Sequence, residues 1–468
     1  MSFIRYKTFG KKRYAYEITS YWDPELKKPR QKSVYLGVLD ELTGEVKKLE
    51  RARTESGIVD FGDGYALCEV AKESGLFQVI NESCKEHETI LCLMLYQIIA
   101  GGAMCHAAEW ASGNIAGKLF CHAKLKSQDI SRLFKYLGQE TVQREFFKHY
   151  VSRFFTGKKG LLIDSTALSS AINSSLNAWG YSAEGISEHV SCIMLVDQES
   201  KLPIYFRAVS GDIPDVSVLR HTLDEITRLG IEADQAIFDA GFYSGKNIQL
   251  LCDRGINFIT RLPKSRTLFK TLTDNLNDLE SRRYATSYGE RILFIREIPI
   301  RLCDTDMYAY VILDPDKKAK DTKLLLREAL EETDNEEAIN LQLKKSGLFV
   351  LISTTPMPIS EVLPAYYTRQ NIEQIFSFAK SGASLLPLRV HSTEAMNGYL
   401  MLMFMALTLF ILAQQKLRSK FSMEYLLVTL RNLKAKVYPD EIIPQELNKK
   451  NKALFEQLSI IVPKNLGI

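Results

Sequence analysis

The sequence predicts an α/β chain: a mixed-sheet core interrupted by a β-rich insertion, with a β-hairpin and a helical region ahead of it. Three patterns point there. Aromatic and polar residues alternate near the N-terminus, which is the period of a half-buried strand. Apolar positions then recur at helical spacing from about Gly64 to Phe155. After that, short apolar runs of strand length alternate with helical stretches, and two of those runs end on an aspartate.

Residues 1–60 form the expected basic β-hairpin module. Arg13-Tyr-Ala-Tyr-Glu-Ile-Thr and Lys32-Ser-Val-Tyr-Leu-Gly-Val are its strands, and the turn-rich Tyr21-Trp-Asp-Pro-Glu-Leu-Lys-Lys-Pro separates them. Residues 61–157 are expected to be helical, with Leu91, Leu93, Leu95, Ile98 and Ile99 among the apolar positions and caps at Ser127 and Thr141. The core is expected at 158–264 and 347–415. It opens with Gly160-Leu-Leu-Ile-Asp164, read as a buried strand ending on its acid, and continues as a three-strand meander through His189–Val196 and Leu202–Val209. A helix from about Val216 to Leu229, the strand Gln235-Ala-Ile-Phe-Asp239, a helix through Leu250 and the strand Ile256–Arg261 complete a β-β-β-α-β-α-β order. Residues 265–346 read as an insertion that leaves the sheet and returns at Gly347–Ser353, and 416–468 as a C-terminal helical region. There is no internal repeat and no low-complexity tract.

Composition narrows the class only loosely. A chain of 468 residues exceeds one simple core, and its net charge of +4, from 60 Lys and Arg against 56 Asp and Glu, is mildly basic. Basic clusters do occur, at Lys11-Lys12-Arg13, Lys27-Lys28-Pro-Arg30-Gln-Lys32, Lys158-Lys159 and Lys449-Lys450-Asn-Lys452, each of which a solvated surface would also explain. Eight cysteines without CxxC spacing predict reduced thiols and a cytoplasmic setting. The Cys105-His106 and Cys121-His122 pairs fit no zinc spacing. The N-terminus lacks the apolar stretch of a signal peptide. Tyr399 to Ala413 imitates a membrane span but falls short of the roughly 20 apolar residues a bilayer needs, so a helix buried in a large core, and no membrane partner, is expected.

The chemistry lies in three carboxylates. Asp164 ends Leu-Leu-Ile and Asp239 ends Ala-Ile-Phe, so both are expected at the carboxyl ends of central strands, where open α/β sheets place their sites. On neighbouring strands such acids face each other and call for a cation. Glu373 belongs to a polar stripe with Tyr366, Arg369 and Lys380. At roughly 100° per residue these fall within about 60° of one another on one helix, beside the apolar Ile372, Ile375, Phe376 and Ala379. Two strand-end aspartates and a helical glutamate make an oxygen cage suited to Mg²⁺ or Mn²⁺, and two such ions would support phosphoryl transfer. For each acid alone, a turn or capping role is the competing explanation.

These residues resemble the DDE transposases of bacterial insertion sequences, whose catalytic core is RNase H-like. Tyr366, Arg369, Glu373 and Lys380 match the signature Tyr-x2-Arg-x3-Glu-x6-Lys. Asp164 in Ile-Asp-Ser-Thr-Ala and Asp239 in Phe-Asp-Ala-Gly-Phe-Tyr look like its two aspartates. Ser210-Gly-Asp-Ile-Pro-Asp215 resembles the Pro-Gly-Asn-x-x-Asp element, departing at its first and third positions, and Pro387-Leu-Arg-Val-His391 before a long apolar helix resembles the family's C-terminal core. The resemblance spans about 160–415.

It implies a DNA transposase that binds its element's ends and carries out metal-dependent cleavage and strand transfer. Asp164, Asp239 and Glu373 would hold Mg²⁺ or Mn²⁺, two ions in all, while Tyr366, Arg369 and Lys380 contact DNA phosphates. It further implies a helical DNA-binding region at 61–157, double-stranded DNA as partner (terminal repeats and target) and a homodimer acting in the bacterial cytoplasm at the nucleoid. Relatives hold a flipped base against an aromatic residue of the insertion. This insertion contains no Trp, the three being Trp22, Trp110 and Trp179. A catalytically silent DNA-binding derivative and a structure-specific nuclease on the same fold stay open as alternatives.

Overall fold

In the computed structural model, described residues are 2–9, 12–23, 28–39, 45–47, 55–169, 176–182, 185–274, 276, 278–331, 336–382, 390, 392–418 and 420–467. Lys11, Lys27, the centre of the expected hairpin turn and Pro387–Arg389 with His391 lie outside them.

The chain divides into two compact units, Met1–Ile58 with Lys436–Ile443 and Asn465–Ile468, and Val59–Ala435 with Pro444–Lys464. In the first, β1 (Ser2–Phe9), β2 (Lys12–Asp23), β3 (Lys28–Leu39) and β4 (Val46–Lys47) form an antiparallel sheet in sequence order, one strand wider on each side than the hairpin expected. A second small sheet joins β5 (Gly57–Asp60) to C-terminal strands.

The larger unit is built on one ten-stranded sheet. Its strands are β6 (Lys158–Ser169), β7 (Ala178–Ser182), β8 (Gly185–Asp197), β9 (Pro203–Ser210), β10 (Glu232–Phe238), β11 (Asn257–Leu262), β12 (Ala285–Tyr288), β13 (Arg291–Leu302), β14 (Thr305–Leu313) and β15 (Leu348–Ser353). They run in the order β12-β13-β14-β15-β11-β10-β6-β8-β7, with β9 also on β8. Only β11-β10-β6 is parallel, and these central strands carry continuous apolar runs because both their faces are covered: Leu161–Ile163, Ala236–Phe238, Phe258 and Ile259 are all fully buried. Strands β12–β14 of the 265–346 segment continue this sheet through β15, and the rest of that segment is largely helical, at Pro315–Glu331 and Glu336–Lys344.

Several expectations need correction. Strand β6 does not end at Asp164 but runs to Ser169, because antiparallel pairing with β8 holds Asp164 through Ser169 against Met194 through His189. The meander contains an extra strand, β7, hairpinned onto β8. Ser127 and Thr141 do not cap: those helices begin at Ser127 and Glu140, after Lys126 and Gln139, without side-chain cap bonds.

The apolar segment extends from Thr393 to Leu417, 25 residues, long and apolar enough to cross a membrane by length and composition. Here 83% of its most apolar window is buried within the chain. Ser392 caps it by accepting from the Ala395 amide. It crosses the Ser127–Leu137 helix at very short range: a Cβ at Gly398 would come 1.8 Å from the Phe134 carbonyl oxygen, and one at Gly138 1.8 Å from that of Glu394. On its other side Phe404 meets the rings of Phe147, Tyr150 and Phe206 at 5.2, 5.4 and 5.6 Å, and the Tyr150 hydroxyl donates to the Pro203 carbonyl at 2.7 Å. That aromatic cluster fastens the helical region to β9 and so fixes the sheet on which the acids sit.

Candidate active site

Parallel pairing sets the two aspartates side by side. Phe238 is in register with Ile163, so Asp239, the first residue past β10, follows beside Asp164 on β6. After Asp239 the chain makes a tight turn, Ala240–Phe242, before the helix Gly245–Asp253. Asn247 secures that turn, donating at 2.8 Å to the carbonyls of both Phe242 and Val216.

The polar stripe does not lie on a single regular helix. Tyr366 is the penultimate residue of the Ile359–Tyr367 helix, Glu373 lies in Gln370–Ser377, and Lys380 sits in a π-helical turn, Phe378–Gly382. Between the first two, Arg369, Asn371 and Ile372 donate to carbonyls three residues back, which tightens the backbone. The result still turns three stripe residues toward the aspartates. The Tyr366 hydroxyl donates to Asp239 at 3.0 Å. Arg369 donates through Nη1 to Asp164 at 2.8 Å and through Nη2 to Glu373 at 2.9 Å, its guanidinium 5.9 Å from the Tyr366 ring centre. Lys380 bears on the thiol of Cys192 on β8, lowering what burial otherwise pushes up. Tyr367 stacks on Tyr288 of β12 at 5.1 Å and 24°, which places an aromatic of the 265–346 segment one residue from Tyr366.

The electrostatics follow from burial. Asp164 is 13% exposed and Arg369 15%, whereas Glu373 is 51% exposed. Burial raises the Asp164 carboxyl to about 6; Arg369 and the Ser165 amide oppose the rise, while the charges of Asp239 and Glu373 add to it. Burial, then the negative charge of Asp239, push the Tyr366 phenol well up, so it stays a donor. Arg369 is therefore the positive charge that makes the desolvated Asp164 tolerable among its acidic neighbours.

A fourth acid joins the three that the sequence singles out. Asp215 opens the helix Asp215–Arg228, and the Ser165 hydroxyl donates to it at 2.6 Å while the Ser165 amide donates to Asp164 at 3.0 Å. Burial, and then the charge of Asp239, raise the Asp215 carboxyl. A Cβ on Gly241 would stand 3.1 Å from it. The signal lies in Ser210–Asp215 and in the serine after Asp164, but nothing local says that the two meet.

The donor set fits a hard divalent cation: acidic oxygens only, those of Asp164 and Asp239 side by side at neighbouring strands, with burial raising the cost of charge on Asp164. Among the described residues, no three His, Cys, Asp or Glu converge closely enough to ligate one ion as they stand, and the Arg369 guanidinium lies between Asp164 and Glu373.

The fold and site define a mixed α/β protein whose parallel centre carries aspartates on neighbouring strands, with a helical glutamate beside them. The sequence profile of the Transposase DDE domain matches residues 155–409, more than half of the chain, and the protein belongs to that family. It is a DNA transposase. No curated protein matches the chain. Among solved structures, the cryo-EM structure of a piggyBac transposase synaptic complex with hairpin DNA is similar over 78% of this chain and 77% of that one, at 10% identity and a TM-score of 0.44.

Proposed function

We propose that this transposase cuts the ends of its own element and joins them to target DNA at the cluster formed by Asp164, Asp239 and Glu373. One observation carries the reading: the β6–β10 register sets the aspartates side by side, and Arg369 ties Asp164 to Glu373. DDE transposases use divalent metal ions, and here the three acids would hold Mg²⁺ or Mn²⁺, two ions at once. The ions would activate a water or 3′-hydroxyl and stabilise the leaving oxygen.

The chain's own residues supply the rest. Tyr366 fixes the Asp239 carboxylate through its hydroxyl and is too strongly held in its protonated form to act as a base. Asp215 pins Ser165, whose amide in turn orients Asp164. Arg369, with its planar fork, would grip two phosphate oxygens, and Lys380 would neutralise the neighbouring phosphate. Two DNA ends imply a homodimer as the working unit. Eight cysteines, all with free thiols, support action in the reducing cytoplasm, at the nucleoid.

The test is an end-cleavage and strand-transfer assay on duplexes bearing the inverted repeats that flank the reading frame, with Mg²⁺. Asp239→Asn and Glu373→Gln should bind the ends yet neither cut nor join them. Cleavage at the wild-type rate by either variant would refute the assignment.

A further inference from the structure

The helical segment 61–157 is electrostatically neutral, with ten Lys and Arg against ten Asp and Glu. Residues 1–47 carry ten against six, a net +4 equal to that of the entire chain. Sequence-independent DNA affinity comes from cations neutralising phosphates, so the excess charge belongs to the N-terminal sheet.

The shape of that sheet is informative. Strand β1 pairs with β2 only as far as Thr19, and β4 reaches only Val38 and Leu39 of β3. Beyond Thr19 the described residues of the sheet therefore form a two-stranded ribbon, Ser20–Asp23 against Lys28–Gln31. Thr19–Trp22 and Lys28–Lys32 are exposed throughout, with Tyr21 47% and Trp22 62% accessible. A bare two-stranded ribbon is marginally stable in water, and this one carries an open aromatic ring on each face.

Alternation sorts its faces. Lys32 opposite Thr19, Arg30 opposite Tyr21 and Lys28 opposite Asp23 share one side. Gln31 opposite Ser20 and Pro29 opposite Trp22 share the other, where the Gln31 amide reaches the Ser20 hydroxyl at 3.5 Å. Further in, Glu17 is an acid on the basic side. Pro29 is tolerated because no described strand pairs with the outer edge of β3 there. The major groove of B-form DNA admits a two-stranded ribbon of this kind.

We propose that the outer β2–β3 ribbon is a double-stranded DNA grip, its Lys28–Arg30–Lys32 side lying along the phosphates, and that it supplies the charge the helical region lacks. This rests on the protein being a DNA transposase. The experiment is fluorescence anisotropy of the full chain with a labelled duplex, titrated from 50 to 300 mM KCl in EDTA, so that no metal-dependent step is involved and failure of the catalytic assignment would leave the result untouched. Every phosphate that the protein ceases to neutralise lowers the slope of log affinity against log salt by about 0.9. The double variant Lys28→Ala with Lys32→Ala should reduce the slope by about 1.8, and the single Lys32→Glu by at least about 0.9. The control Lys118→Ala with Lys126→Ala, two exposed lysines of the helical region, should leave it unchanged. Unchanged slopes in both ribbon variants, an equal fall in the control, or a change in sedimentation with DNA affinity intact would overturn the proposal; the last would make a second copy of the chain the ribbon's partner.

Discussion

Replacing Arg369 by Gln removes the cation that bridges Asp164 and Glu373 while keeping most of the side chain's length. The arm to Glu373 is half exposed and is worth at most about 0.5–1 kcal/mol. The arm to Asp164 is different: both groups are largely buried, and breaking such a pair costs about 3–5 kcal/mol when the remaining charge has no escape. Asp164 has an escape in protonation, since its carboxyl already sits at about 6 and would climb further without Arg369.

The sign follows from linkage. A folded-state value above the unfolded one, about 3.9, means stability that is complete below that pH and is lost as pH rises through the folded value. Arg369→Gln should therefore cost under about 1 kcal/mol at pH 5, where Asp164 is protonated in both proteins, and about 3 kcal/mol at pH 8. For a chain this long that is a fall in Tm of roughly 4 °C at pH 8 and of about 1 °C or less at pH 5. Added Mg²⁺ should recover more stability in the variant than in the wild type, because a ligand that binds only the folded state stabilises it. Scanning calorimetry at the two pH values reads this directly. An equal loss at both would refute the claim that Arg369 acts by neutralising a buried acid.

Tyr366→Phe keeps the ring but leaves Asp239 without its donor; a loss of about 1 kcal/mol in stability and a several-fold fall in cleavage rate are expected, read by thermal melting and end cleavage. Ser165→Ala strips the donor from part-buried Asp215 and should cost about 1–3 kcal/mol, whereas adding Asp215→Asn on top should cost little more, a coupling that a double-mutant cycle measures. Gly398→Ala forces a methyl into the Phe134 carbonyl and should destabilise by about 2–3 kcal/mol, visible as a lowered Tm, while Gly157→Ala, with open space around its Cβ but a left-handed backbone, should cost less.

How much of this could be read from the residues alone depends on how local the cause is. Leu-Leu-Ile-Asp164 and Ala-Ile-Phe-Asp239 announce buried strands and their acids because parallel central strands require unbroken apolar runs. The Tyr366–Lys380 spacing announces a helical stripe for the same local reason. What stayed hidden is set by distant partners. Strand β6 overruns Asp164 because β8, some thirty residues on, pairs with it. Strand β7 is five residues with a central glycine, too short to stand out, and exists because β8 offers an edge. The stripe's tightening after Tyr367 and its π turn at Lys380 leave no mark in the spacing, which reads as one regular helix. Asp215 and Ser165 meet across fifty residues through a fold that no window of sequence contains.

Binding of Mn²⁺ to the metal-free protein, followed by titration calorimetry, tests the central claim that the three carboxylates together bind divalent cations. The wild type should bind with a heat that Asp164→Asn, Asp239→Asn and Glu373→Gln each abolish or weaken at least tenfold while the proteins remain folded. Wild-type affinity in any one of the three would contradict the account.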